Sequence, residues 1–344
     1  MLQKTAHILV IRLSAMGDVA ISAPVLRAFT AQHPTVKITV LSTPFFEPFF
    51  EDIPNIYFYK IDKKGKHKGI LGLYKLANEL AKLNIDAIAD LHNVLRSKIL
   101  VRLLQFKGIT NQQIDKGRAD KKALTRIKNK VFKPLKSSAE RYADVFRVLG
   151  FPIHLKNIKL PNHLILSEKI TQSIGETKNK KIGIAPFAAH EGKMYPLVQM
   201  QKVIEKLAKT HQVLLFGGGE KEAKQLTEIA QTNKNIISVA NQFTFKEELA
   251  LISNLDIMVA MDSGNGHLAA MYGIPVITIW GVTHPYAGFT PFNQPQENQI
   301  LPNLEQFPLL PTSIYGNKYP EGYLSCFDTI TPKMIISTVE AVLD

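Results

Sequence analysis

The stretch LVIRLSAMGDVAISAP, residues 9–24, sets a run of strand-forming apolar residues directly before Arg12, Ser14, Gly17 and Asp18. With His7 and Ile8 the run reads HILVIRL (7–13), a strand with no polar face, as expected inside a parallel sheet covered by helices on both sides. A helix should follow over 22–33 (SAPVLRAFTAQH), with Ser22 as its cap and Pro24 in its first turn. Asp18 then falls on the turn between strand and helix. In open parallel sheets ligands bind beyond the carboxyl ends of the strands, so a carboxylate placed there calls for a chemical reason.

The alternation continues along the chain. KITVLST (37–43) and IDAIADL (85–91) read as strands, the latter ending at His92, and ILGLYKLANELAKL (70–83) reads as an amphipathic helix. After a polar stretch at 161–180 the pattern restarts with strands at 181–187, 212–218, 236–240, 256–261 and 275–281. Helices are expected around 197–209, 220–231, 245–253 and 266–272. Two α/β series of similar size imply an α/β fold of two Rossmann-like domains facing across a cleft, one over 1–165 and one over 166–330. Segment 282–328 reads as irregular. Residues 331–344 should form a closing helix that packs back on the N-terminal domain.

Composition narrows the class. The 344 residues are 45% hydrophobic and 21% charged, ordinary for a globular protein, and no apolar run approaches the ~20 residues of a membrane span. Arg12 and Asp18 interrupt what would be the core of a signal peptide, and a single cysteine, Cys326, fits a reducing compartment, so a cytoplasmic location is expected. The net charge of +13 points to an anionic partner. Much of it lies between 115 and 136, where Lys121, Lys122 and Arg126 are prominent. Only Phe132 is interleaved with these cations, which gives nucleic acid little to stack on. A solvated charged face and a contact with an anionic membrane surface or acceptor remain as readings.

The strongest local signal is MDSGNGHLAA (261–270): a strand ends, and Asp262, Ser263 and Gly264 lead into a helix near His267. Such a turn lets a phosphate approach exposed helix N–H groups, although a plain strand–helix turn would use the same residues. Lys193, in APFAAHEGKMYP, could neutralise a diphosphate, and Glu220, in FGGGEKEAKQL, could meet a ribose or base; a surface lysine and a helix-start glutamate are the plainer readings. No phosphate-loop or dinucleotide fingerprint occurs, no D-x-D pair is present, and His92, His190, His267 and His284 lack metal-ligand spacing. No cofactor or metal is expected.

Together, ILVIRLSAMGDVAISAPVLRAF and MDSGNGHLAAMYGIPVITIWGVTHP (261–285) resemble glycosyltransferase family 9, the lipopolysaccharide heptosyltransferases, with Lys193 and the FGGGE turn in the expected order between them. The resemblance implies the two-domain GT-B fold and metal-free, inverting transfer from a nucleotide sugar, commonly ADP-heptose, to a phosphorylated lipid A or core glycolipid. It implies a catalytic base at Asp18 and donor contacts from Lys193, Glu220, Asp262, Ser263, Gly264 and His267. Acceptor contacts are then expected from Arg12, Ser14, His92, Lys121, Lys122 and Arg126. Tyr195 stands where many members carry Trp. The carboxylate at the sheet's mouth thus acquires a use, taking a proton from an acceptor hydroxyl. Helix capping is the competing use, and Ser22 is expected to fill that role. A nucleotide-sugar epimerase or hydrolase of the same fold, and a non-catalytic nucleotide- or polyanion-binding protein, are the alternatives.

Overall fold

The computed structural model describes residues 5–344, which divide into two compact units. The first comprises residues up to 116 together with 138–160; the second comprises 117–137 and 161–344. The expected division at 165/166 counts residues 117–137 with the first domain, whereas by packing they group with the second unit.

The first unit holds β1 (His7–Ile11), α1 (Met16–Gln32), β2 (Lys37–Ser42), β3 (Ile56–Lys60), α2 (Gly69–Ala81), β4 (Ala87–Asp90), α3 (Leu95–Gln105) and β5 (Thr110–Gln113). Next in the chain come α4 (Arg118–Thr125), which belongs to the second unit, and α5 (Ser138–Val148), which belongs to the first. The sheet is wholly parallel in the order β3-β2-β1-β4-β5, with Ile8 opposite Ile38 on one side and Ala87 on the other. Every residue of β1 is buried, as its unbroken apolar sequence requires. Leu9 and Ile11 join Leu73, Leu76, Leu100 and Leu104 of α2 and α3 in one core cluster. Away from that cluster α1 packs on α5, where Phe29 and Phe146 lie with ring centroids 4.6 Å apart.

Helix α1 starts six residues before the expected position. Ala15 occupies its N-cap without a side-chain cap bond, Asp18 falls in its first turn, and Pro24 sits inside it. Ser22 is no cap: its hydroxyl donates to the Val19 carbonyl within the helix. The Ser-x-Pro cue misleads because α1 is buried on most of its surface from Val19 to Thr30, and tertiary packing outweighs the interior proline.

The second unit holds α6 (Glu168–Ile174), β6 (Lys181–Ala185), α7 (Leu197–Leu207), β7 (Gln212–Leu215), α8 (Gly219–Ala230), β8 (Ile236–Ser238), α9 (Phe245–Ser253), β9 (Ile257–Met261), α10 (Gly264–Met271), β10 (Val276–Ile279), β11 (Gln299–Ile300) and α11 (Pro332–Leu343). Its sheet is also parallel, in the order β11-β10-β9-β6-β7-β8. The closing helix α11 belongs to the second unit and packs on α7, with Ile335 and Val339 fully buried in that unit's core. Segment 282–328 is irregular apart from short 3-10 turns and β11.

One close approach fixes the loop after β6. The Val282 N–H donates to the Gly192 carbonyl at 2.9 Å, and a Cβ on Gly281 would lie 2.5 Å from that carbonyl oxygen and 2.2 Å from Phe327 Cζ. We expect Gly281→Ala to lower stability by about 1–3 kcal/mol, the usual range for overpacking a closed site. A denaturant midpoint unchanged from wild type would refute this tight fit.

Candidate active site

In the first unit the functional side chains gather at the carboxyl ends of β1 and β4. Arg12 follows β1 directly and is only 5% exposed. Its guanidinium donates to the Leu91 carbonyl at 2.7 Å, forms an ion pair with the Asp18 carboxylate, and lies 5.7 Å from the centre of the Tyr142 ring. The Tyr142 hydroxyl donates to the Asp18 carbonyl at 3.3 Å, and burial pushes its acidity far out of the accessible range. Asp18 is thus held at its carboxylate by Arg12 and at its backbone carbonyl by Tyr142, and a third of its side chain remains open, at 32% exposure.

His92 joins the same group. Its Nδ1 accepts the Leu13 N–H at 3.4 Å, which places the ring proton on Nε2. Burial, reinforced by the Arg12 and Lys116 charges, holds its pKa down at about 3, so the ring is neutral at physiological pH. The loop carrying His92 hangs on a buried carboxylate that the sequence did not single out. Asp90 accepts from the N–H groups of His92 and Asn93 at 3.0 and 2.9 Å, from the Ser97 hydroxyl at 2.9 Å and from the Gln113 amide at 2.9 Å. Ser14 lies half-buried on the turn between β1 and α1.

Two further cations border this group. Lys63 and Arg96 are half-buried; Lys63 is held below its ordinary pKa by partial burial and then by the Arg96 and Lys64 charges, and its own charge is felt at His92. Sequence reading missed them because neither lies in a motif; only the tertiary fold brings the 61–68 loop to the start of α3. Lys121, Lys122 and Arg126 fall on or just after α4, in the second unit. There Lys121 lies over the Phe289 ring at 4.1 Å, and Lys130 donates to the Leu309 and Pro311 carbonyls at 2.5 and 2.8 Å. Phe132 packs on His284 and Tyr286 with centroids 5.1 and 4.9 Å away. The basic run is partly a docking strap for its own protein rather than a uniformly solvated face.

The second unit carries the other group, again beyond strand ends. Lys193 Nζ pairs with Asp262 Oδ2 at 2.8 Å, their side chains 14% and 5% exposed. The lysine stem runs under Gly316, whose Cβ would meet Lys193 Cγ at 2.5 Å, and whose φ of +79° suits glycine. Ser263 takes the N-cap position of α10 with extended backbone but makes no cap bond, and its Oγ is buried without a partner. Buried hydroxyls normally have partners, so a polar ligand on the α10 N–H groups would suit this turn. Gly264 opens α10, and His267 lies buried one turn in.

A cavity of about 540 Å³ adjoins the Lys193 loop, lined among others by Phe187, Glu191, Met194, Tyr195, Lys221 and Glu222. Tyr195 closes one wall, its hydroxyl donating to the Ile330 carbonyl at 2.8 Å. Of the two glutamates in the first turn of α8, Glu222 lines the cavity and also accepts the Gly218 N–H at 2.8 Å; Glu220 is exposed and does not line it. The two carboxylates are two positions apart on α8, about 200° of helical rotation, so they face different ways. The GGGE turn marks the start of the helix but not which of its carboxylates faces inward.

The glycosyltransferase family 9 (heptosyltransferase) model matches residues 73–312. A lipopolysaccharide heptosyltransferase 1 from Campylobacter coli is 27% identical over 354 aligned positions, covering 97% of this chain and 98% of that protein. Among solved structures, a family 9 glycosyltransferase from Veillonella parvula superposes with a TM-score of 0.77 at 20% identity, covering 100% of this chain and 98% of that one. The Escherichia coli ADP-heptose lps heptosyltransferase II superposes with a TM-score of 0.69 at 20% identity, covering 98% of each chain. The two parallel α/β units are those of the GT-B fold, and the chain belongs to glycosyltransferase family 9 as a sugar-transferring enzyme.

Proposed function

We propose that the enzyme moves a heptose from ADP-heptose onto the core of a lipopolysaccharide or a related surface glycolipid, in one displacement that inverts the anomeric centre. The observation that carries this reading is the partly open Asp18 carboxylate, held by Arg12 at the mouth of the first sheet. An acceptor hydroxyl gives its proton to Asp18 as its oxygen bonds to the anomeric carbon. The bond from that carbon to the diphosphate breaks, and the leaving group carries away the electron pair. Lys193 and the N-terminal amides of α10 meet the charge that develops there, so the reading requires no metal. Asp262 holds the Lys193 ammonium in place.

His92 is the other group near enough to Asp18 to be weighed as the base. Its Nδ1 is occupied by the Leu13 N–H and its Nε2 carries the proton, which favours Asp18. Arg12, pinned on three sides and almost fully buried, serves better as the positioning residue for Asp18 than as an acceptor contact. Lys63, Arg96 and His92 are then the groups that an anionic acceptor would meet in the first unit, with a glycolipid at a membrane surface as the partner.

Asp18→Asn keeps the side-chain size but cannot take the proton. Turnover should fall by about 10²–10⁴ with donor affinity nearly unchanged, the typical contribution of a positioned base. Wild-type activity should survive EDTA. Normal turnover in Asp18→Asn at saturating substrates would place the base elsewhere.

ADP should raise the unfolding temperature more than UDP, GDP or CMP at equal concentration, since a ligand of the folded state stabilises by RT ln(1 + [L]/Kd). Lys193→Gln, which can still hydrogen-bond Asp262 where Ala would strand a buried carboxylate, should lose most of that gain and slow transfer by about 2–4 kcal/mol. An equal response to all four nucleotides would remove the ADP-sugar donor from the reading.

The depressed His92 also has a measurable sign. Below pH 6.5 the unfolded chain takes up a proton at this residue that the folded one refuses until about pH 3, so stability falls as pH drops through that window. His92→Gln should make the acid limb shallower, by at most about 1.4 kcal/mol per pH unit. Parallel limbs in the two proteins would mean that His92 is charged in the fold.

A further inference from the structure

Helices α2 and α3 lie side by side over one face of the first sheet, so their N-termini sit at the edge that carries Arg12, Asp18 and His92. That rim has an unusual surface. Ile70 is 70% exposed, Leu71 85%, Tyr74 55% and Leu95 76%, while the next residues inward, Leu73, Leu76 and Leu100, are buried. The apolar tips are surplus to the core rather than loosely packed parts of it. Around them stand Lys64, Lys68, Lys75 and Lys98, all exposed.

The charges here are not cancelled locally. Asp62 spends its carboxylate on the N–H groups of Lys64, Gly65 and Lys66, at 3.3, 2.8 and 2.8 Å. Glu79 is taken by Lys66, Tyr59 and His67, at 2.7, 2.6 and 3.2 Å. These bonds also tie the 62–68 loop to α2, so the lysines next to Ile70 and Leu71 are held on a fixed platform.

We infer that this rim docks the first unit onto an anionic lipid leaflet, with Ile70, Leu71, Tyr74 and Leu95 entering the headgroup boundary and the surrounding lysines meeting lipid phosphates. Scattered apolar tips in a cationic ring match the chemistry of interfacial attachment, in which short insertion and charge attraction add. No helix among the described residues is long and apolar enough to cross a membrane, so attachment of this kind would be peripheral. The inference rests on the glycolipid-acceptor reading and gives it a direction: the edge with the proposed base is the edge that meets the membrane. It also moves the lipid contact away from residues 115–136, whose Lys121 and Lys130 are engaged within the second unit.

The test is co-sedimentation of the full-length enzyme with vesicles of phosphatidylglycerol in phosphatidylcholine, without donor or acceptor. The double variant Ile70→Ser/Leu71→Ser should weaken vesicle partitioning about tenfold or more, given the apolar surface removed. Lys64→Gln/Lys68→Gln/Lys75→Gln should weaken it about tenfold at low salt and little at high salt. Lys128→Gln/Lys133→Gln should bind as wild type, and all variants should keep the wild-type melting temperature and turnover on a water-soluble acceptor sugar. Vesicle binding unchanged in both rim variants overturns the inference. So does a change of sedimenting mass in Ile70→Ser/Leu71→Ser with vesicle binding intact, which would make the rim a contact between two copies of the chain. Absence of transfer by the wild type to any soluble acceptor would count against the proposed reaction, while the vesicle result would still decide the docking.

Discussion

Burying a guanidinium is costly unless its surroundings answer the charge, and Arg12, only 5% exposed, organises the first unit around that requirement. Its partners come from three elements that are distant in sequence: the end of β4 supplies the Leu91 carbonyl, the first turn of α1 supplies Asp18, and α5 supplies the Tyr142 ring. Each partner is fixed in turn by packing that has nothing to do with charge. Removing Asp18 would leave the cation uncompensated, which is among the more damaging changes a buried pair can suffer. The clamp has a chemical consequence as well. With one carboxylate oxygen held by Arg12, the orientation of the other is set before any substrate arrives, and catalysis by proton transfer depends on such positioning.

The second unit solves a related problem by a different device. Lys193 is placed by backbone contact rather than by neighbouring side chains alone: Gly192, Gly281 and Gly316 let three segments touch where a Cβ on any of them would collide. The lysine stem fills the space that a Cβ on Gly316 would need, and Asp262 receives its ammonium. A flexible surface lysine would give up much side-chain entropy on meeting a diphosphate; one already seated gives up less. The glycines are thus part of the proposed donor site although none of the three needs to touch a ligand.

How far the sequence reveals this arrangement depends on whether a feature is local. The interior strands β1, β6 and β9 are runs of apolar residues and announce themselves, as does the Asp-Ser-Gly turn into α10. The edge strand β5, Thr-Asn-Gln-Gln, carries no apolar pattern because little of it is buried, and it is invisible without its partner β4. The start of α1 is hidden because cap cues assume a solvated helix end, whereas this helix is swallowed by the fold. Asp90, Tyr142, Lys63 and Arg96 belong to no motif. Their importance lies in which residues the tertiary structure sets beside them, and a single sequence holds no record of that.

The strap at 117–137 shows the limit most clearly. In the sequence it is a basic run, and charge alone cannot distinguish a solvated face from one that folds against its own protein. What decides is the scattered minority of other residues. Leu124 is fully buried, Phe132 finds His284 and Tyr286, and the Leu135 N–H donates to the Tyr286 carbonyl at 2.9 Å. Lys130 becomes partly desolvated, which brings its pKa down to about 8, and its ammonium is satisfied by two backbone carbonyls instead of a carboxylate. Because β5 before the strap and α5 after it both belong to the first unit, the chain passes between the units three times rather than once. A strap of this kind couples the two folds covalently through residues that also border the His284 turn.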